Sequence, residues 1–205
     1  MIPEPKPANE GRFHFLMMYS SEDIRKAIEE GTLVISPFGA NTIRPSGLTL
    51  HLGANLLRPL PGKTVDVRNK IIPDYSEITI TDDSPHVLGP NEFVLGHTYE
   101  AVTVGDSLGF FIEGRSTLAR VGLTIVQTAM LVYPGHRNRT ITLELANHGP
   151  NPILLYPKMK IARAAIFELK TPSKVSYDDT GKYRQQVSVG RPVFENEFLT
   201  EDEKV

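Results

Sequence analysis

The sequence predicts a mainly β fold of many short strands, of the sandwich, jelly-roll or barrel kind, with one short helix near the N-terminus. Three observations carry that expectation. Gly 16 and Pro 16 among 205 residues interrupt the chain too often for long helices. Apolar and polar residues alternate with period two in stretches such as Leu48-Thr49-Leu50-His51-Leu52 and Ile141-Thr142-Leu143-Glu144-Leu145. Clear helix-start chemistry is found at Ser20-Ser21-Glu22-Asp23.

Taken in order, residues 1–17 form a polar, proline-rich lead-in. Ser20 with Asp23 three residues on makes a capping box, Ile24, Ala27 and Ile28 share one face, and Gly31 closes the helix. The spacing predicts a helix over 21–30. Short strands follow at 33–35, 48–52, 78–81, 93–95, 100–104, 108–112, 141–145, 153–156 and 164–169, each flanked by turn residues. A second short helix is expected over 116–121. Residues 191–205 read as an acidic tail.

Composition removes several function classes. Lys plus Arg is 22 and Asp plus Glu is 24, a net charge of -2, unlike the basic footprint of a nucleic-acid binder. No apolar run approaches the ~20 residues of a membrane span. The first eleven residues do not resemble a secretory signal, so a cytoplasmic location is expected. With Cys 0 there is no disulfide, thiolate nucleophile or Cys-ligated zinc. None of the six histidines is followed two residues later by Glu, as a zinc deaminase requires. No protein-bound zinc is expected. Gly-x-Ser-x-Gly, Walker and Gly-x-Gly-x-x-Gly strings are absent.

Three clusters carry chemistry. In Glu113-Gly114-Arg115-Ser116-Thr117-Leu118-Ala119-Arg120, helix N–H groups, two hydroxyls and guanidinium groups converge on one side, as an anion site requires. Taken alone, a capped surface helix with solvated arginines is the simpler reading. Glu144 sits between apolar neighbours and shares its strand face with Thr142. It is either a solvent-facing strand residue or a pocket carboxylate placed for proton transfer. Gly181-Lys182-Tyr183-Arg184-Gln185-Gln186 is either a solvated basic loop or a donor-rich segment that closes over an anion.

In this order the clusters resemble the dCTP deaminase branch of the dUTPase superfamily. Glu113 to Leu123 is similar to its phosphate-binding motif, Ile141 to Asn147 to the strand of its catalytic glutamate, and Lys182-Tyr183 with Gln186 to its C-terminal closing segment. Asp23 to Ile35, Phe93 to Gly96 and Tyr156 to Ile161 match its opening helix, a middle strand and its late core, so the likeness spans roughly 18–190. The resemblance implies a distorted β jelly roll (β-clip) that assembles as a homotrimer with active sites between subunits. It implies zinc-independent hydrolytic deamination of dCTP to dUTP and ammonia. Glu144, Arg120 and Ser116 form the implied catalytic group. Arg115, Ser116 and Thr117 would hold the triphosphate, Gln127 and Ala129 would read the pyrimidine, and Lys182 and Gln186 would close on the nucleotide. Mg2+ would ride on the triphosphate.

Three departures bear on function. Tyr133 stands where relatives usually have an aspartate, close to the deoxyribose; a phenol is a poor water-activating base near neutral pH. This disfavours the alternative of a dUTP diphosphatase or a bifunctional enzyme. The turn at 136–140 is one residue longer than usual, and its two arginines either add phosphate contacts or, as the simpler expectation, are solvated. Thr49 and His51 replace an Asp and an Arg, so a structural ion pair is expected to be altered. These substitutions also motivate a third reading, a nucleotide-binding regulatory trimer without catalysis.

Overall fold

Ser20 starts the first element by the chemistry the sequence advertises. The computed structural model describes residues 17–199; most of the expected lead-in, and positions 200–205 of the expected tail, lie outside the described residues. The Ser20 hydroxyl accepts from the Asp23 N–H at 3.3 Å, and the Asp23 carboxylate accepts from the Ser20 N–H at 2.9 Å. This box opens α1 (Ser21–Glu29). Ile24 and Ala27 are buried from one face of it. Gly31, at φ +71, then turns the chain and bonds back to the Ile28 carbonyl, a left-handed conformation that costs glycine little.

The strands among the described residues are β1 (Leu33–Ser36), β2 (Ile43–Arg44), β3 (Gly47–His51), β4 (Asn55–Pro59), β5 (Tyr75–Thr79), β6 (His86–Leu88), β7 (Phe93–His97), β8 (Ala101–Val104), β9 (Leu108–Gly114), β10 (Leu123–Thr124), β11 (Leu131–Val132), β12 (Thr142–Asn147), β13 (Ile153–Leu155) and β14 (Lys160–Glu168). Two four-residue helices, α2 (Ser116–Ala119) and α3 (Tyr177–Thr180), interrupt them. The expected mainly β fold is therefore the one observed. Two five-stranded sheets run in the orders β10-β12-β7-β4-β5 and β11-β9-β14-β3-β2, with β1-β8 and β13-β6 as two-stranded ribbons. All these pairings are antiparallel.

Side chains from both large sheets meet in one apolar core. Leu48, Leu50, Phe110 and Ile112 enter it from one sheet, and Leu56, Val94, Leu143 and Leu145 from the other. Each fully buried Leu contributes about 2 kcal/mol, so a slip of one residue in any of these strands would turn that gain into exposed hydrocarbon. The strands missed in the sequence are mostly two or three residues long, too short to show a period. In β4, Leu56 and Leu57 are both buried, so alternation is absent there too.

The altered pair at Thr49 and His51 is resolved in an unexpected way. Thr49 is buried inside its sheet, where a neutral hydroxyl costs far less than an unpaired carboxylate. His51 Nδ1 lies 2.5 Å from Glu100 Oε1, and the His51 N–H donates to Glu100 Oε2 at 2.9 Å. Glu100 is only 2% exposed. This buried carboxylate thus takes both of its contacts from one residue, His51.

No helix among the described residues is long and apolar enough to cross a membrane. His97 and His136 are buried, and each uses Nδ1 on a backbone carbonyl, Thr98 O at 2.8 Å and Val102 O at 3.1 Å. Burial holds both imidazoles below the ordinary 6.5, and the carbonyl contacts only partly oppose it. The unfolded chain therefore binds more protons than the folded one, and stability is full above pH 6.5 and falls as the pH drops below it. An NMR titration of the imidazoles checks this. Both midpoints are expected below 6.5; midpoints at or above that value would remove the acid-side loss.

Candidate active site

Burial of Leu143 and Leu145 turns Thr142 and Glu144 of β12 to the opposite face. That face borders a cavity of about 680 Å³ with a mainly apolar wall. β10 and the chain after it run beside β12. The Glu144 N–H donates to the Ile125 carbonyl at 2.9 Å, and the Gln127 N–H donates to Glu144 Oε2 at 2.7 Å. One carboxylate oxygen is thereby fixed by backbone, a more rigid support than a second side chain.

Ala129, Tyr133, Glu144, Lys182 and Gln186, five of the residues singled out in the sequence, line this one cavity. Gln186 Nε2 donates to the Thr142 hydroxyl at 2.7 Å, tying the C-terminal segment to the strand of Glu144. Lys182 pairs with Glu197. Gln127 lines a smaller neighbouring cavity of about 300 Å³ and reaches Glu144 through its backbone.

Arg115, Ser116, Thr117 and Arg120 are placed elsewhere. They belong to the short α2 and do not line the large cavity. Arg115 donates to the Lys160 carbonyl at 3.1 Å, and Arg120 folds back on the Ser116 carbonyl at 2.8 Å. Ser116, Thr117 and Arg120 are exposed. Within one chain, then, the basic hydroxyl-bearing motif and the pocket carboxylate remain apart.

Two wall residues were missed. Tyr177 of α3 lies parallel to Tyr133, with centroids 6.1 Å apart at 4°, and stacks on His136 at 5.8 Å. The signal that marks Tyr177 is Ser176 followed by Asp178 and Asp179, a helix start: the Ser176 hydroxyl accepts from the Asp178 N–H. Burial raises the Tyr177 phenol above its ordinary value, and burial keeps His136 neutral near pH 7. The pocket wall is therefore uncharged on this side.

The turn at 136–140 holds α3 in place. Arg139 pairs with Asp178, whose carboxyl is held below the usual range chiefly by that hydrogen bond. The Tyr177 N–H donates to the Pro134 carbonyl at 3.0 Å. Gly135, at φ +74, lets the backbone pass Ser176; a Cβ there would fall 2.0 Å from the Ser176 Oγ. Solvation of both arginines is thus corrected: Arg137 is half-exposed and approaches Asp106 at 3.7 Å, but Arg139 is mostly covered. Among the described residues no group of three His, Cys, Asp or Glu side chains is placed to hold a metal ion.

The fold and this pocket define a β-sheet protein with a cavity between a carboxylate-bearing strand and a basic C-terminal segment. The sequence profile of the dCTP deaminase-like family matches residues 18–169, and the chain belongs to that family. A dCTP deaminase, dUMP-forming, of Corynebacterium diphtheriae is 36% identical over 176 residues, covering 83% of this chain and 93% of that protein. A protein of the same name from Dictyoglomus thermophilum is 35% identical over 195 residues, covering 92% of this chain and 100% of that one. The crystal structure of 2'-deoxycytidine 5'-triphosphate deaminase from Agrobacterium tumefaciens shares the fold, with a TM-score of 0.57 and 16% identity over 74% of this chain; the match spans about half, 48%, of that chain.

Replacing Arg139 with Ala is expected to free α3 from the 133–139 turn at a local cost of about 1 kcal/mol. Amide exchange over 176–186 should rise while exchange in β9 and β14 stays as in the parent. Unchanged exchange over α3 would show that the ion pair does not hold it.

Proposed function

We propose that the protein deaminates dCTP. The observation that carries this reading is Glu144, lining a pocket of nucleoside size with one oxygen fixed by the Gln127 N–H. Membership of the dCTP deaminase-like family and relatives named for that activity support it. In the reaction, water adds to C4 of cytosine and ammonia leaves. Glu144 takes the proton from water and passes a proton to the base, so one fixed carboxylate serves both halves of the exchange. Gln127 and Ala129, on the chain beside β12, read the pyrimidine edge through their backbone. Tyr133 lies against the sugar, and Lys182 and Gln186 close on the phosphates.

Arg115, Ser116, Thr117 and Arg120 join this site from a neighbouring subunit of a homotrimer. Their separation from the cavity within one chain favours that assembly, as do exposed apolar side chains at Val121, Met130 and Leu131 on the same stretch. There, Arg115 and the two hydroxyls hold the triphosphate, while Arg120 and Ser116 orient the carboxylate and stabilise charge developing at C4. Magnesium would be held through the oxygens of the triphosphate and would neutralise part of its charge. A cytoplasmic location, with its nucleotide triphosphate pool, goes with this chemistry. Nucleic acid and membranes play no part in it.

The product divides two readings. Deamination alone releases dUTP and ammonia. The relatives' names, dUMP-forming, favour a second hydrolysis that splits dUTP into dUMP and pyrophosphate. Tyr133 offers no carboxylate for that step, so it would need another base. Incubation with dCTP and with dUTP, with ammonia and pyrophosphate both assayed, separates the two. Ammonia with dUTP accumulating supports deamination alone; pyrophosphate from either nucleotide supports dUMP formation. Absence of ammonia from dCTP rejects the activity and favours the nucleotide-binding regulator.

Glu144→Gln is expected to lower deamination at least about 10²-fold, the scale of a lost general base, with dCTP binding largely kept. Near-normal turnover would overturn its role. Arg115→Ala is expected to weaken dCTP binding about tenfold, as loss of a charge-assisted contact does. Sedimentation should give three times the subunit mass; a monomer at micromolar concentration would remove the shared site.

A further inference from the structure

The C-terminal segment does not hang free of the cavity. Gly190 and Pro192 line it, Arg191 reaches Glu77 at 3.1 Å and lies over the ring of Tyr75, and the Val193 N–H donates to the Tyr183 hydroxyl at 3.2 Å. Farther on, Arg68 stacks on Phe198 at 4.3 Å. These contacts bring the chain back on itself and set the Glu197 carboxylate on the Lys182 ammonium, 15 residues earlier. Gln186, the other donor expected to close on a nucleotide, is satisfied by Thr142.

We infer that Glu197 is an internal competitor for Lys182, its carboxylate occupying the cation that a nucleotide triphosphate must engage. The inference rests on the proposed use of Lys182 in triphosphate binding. An ammonium that has lost part of its water needs an anion partner, and the tethered carboxylate supplies one in the ligand-free chain. Tethering gives it an effective concentration of about millimolar order. A small free carboxylate therefore competes poorly, whereas a polyphosphate, with more charge and more acceptor oxygens, displaces it. Affinity for the triphosphate is lowered by the fraction of chains in which Lys182 is already paired. Glu197 lies outside the carboxylate and pyrimidine-reading groups, so it sets how much substrate is needed and leaves the chemical step alone.

The test uses the full chain and measures binding of magnesium dCTP by calorimetry in the Glu144→Gln background, which prevents turnover. Adding Glu197→Gln should tighten binding about two- to fivefold, the range for an ion pair with both side chains about one-third exposed. It should lower KM in the active enzyme by a similar factor with kcat unchanged. In a Lys182→Ala background the same change should do nothing. Unchanged affinity on Glu197→Gln, or an equal gain with Lys182 absent, overturns the inference; thermal melting of each variant confirms that it is folded. Titration with inorganic tripolyphosphate keeps the two readings apart. If dCTP fails to bind while tripolyphosphate binds and responds to Glu197→Gln, the substrate assignment fails and the competitor stands. If neither ligand binds, both fail.

Discussion

Burial of Leu143 and Leu145, each at 0% exposure, holds β12 in its register between β10 and β7. A strand with two such anchors cannot slide by one residue without exposing both. Thr142 and Glu144 are therefore committed to the opposite face, where the cavity forms. The Gln127 N–H then fixes the carboxylate from the neighbouring stretch of chain. Hydrophobic burial on one side of a strand thus positions an ionisable group on the other.

The remainder of the pocket is built around the turn at 133–139. It supplies Tyr133 and His136 to the wall and receives α3 through Arg139, Pro134 and Gly135. α3 leads directly into Lys182 and Gln186. An ion pair, a backbone hydrogen bond and a backbone close approach consequently connect this aromatic wall to the segment that carries Lys182 and Gln186. The side of the pocket formed by Tyr133, Tyr177 and His136 is aromatic, and burial keeps its imidazole neutral near pH 7.

α2 stands apart from this unit. Its arginines hold backbone carbonyls of the same chain, and its hydroxyls face outward. The motif at 115–120 and the cavity thus lie on different parts of one chain. That separation underlies the proposed trimer, in which each site would have two contributors.

Much of this molecule was readable from residue order. Alternation identified β3, β12 and the face on which Glu144 lies, Ser20 with Asp23 located α1, and glycine and proline counts excluded a helical fold, because each of these depends on neighbours a few residues apart. The grouping of Glu144 with Lys182 and Gln186 came from motif resemblance before it came from geometry. Tertiary structure alone decided the His51–Glu100 pair, the Tyr133–Tyr177 stack, the anchoring of Arg139 on Asp178 and the return of Glu197 to Lys182. Those contacts join segments between 15 and 49 residues apart, and no local period encodes which distant partner a side chain will meet. Sequence determined what each element is and which face it buries; packing of the sheets and the turns between them determined which polar groups face one another.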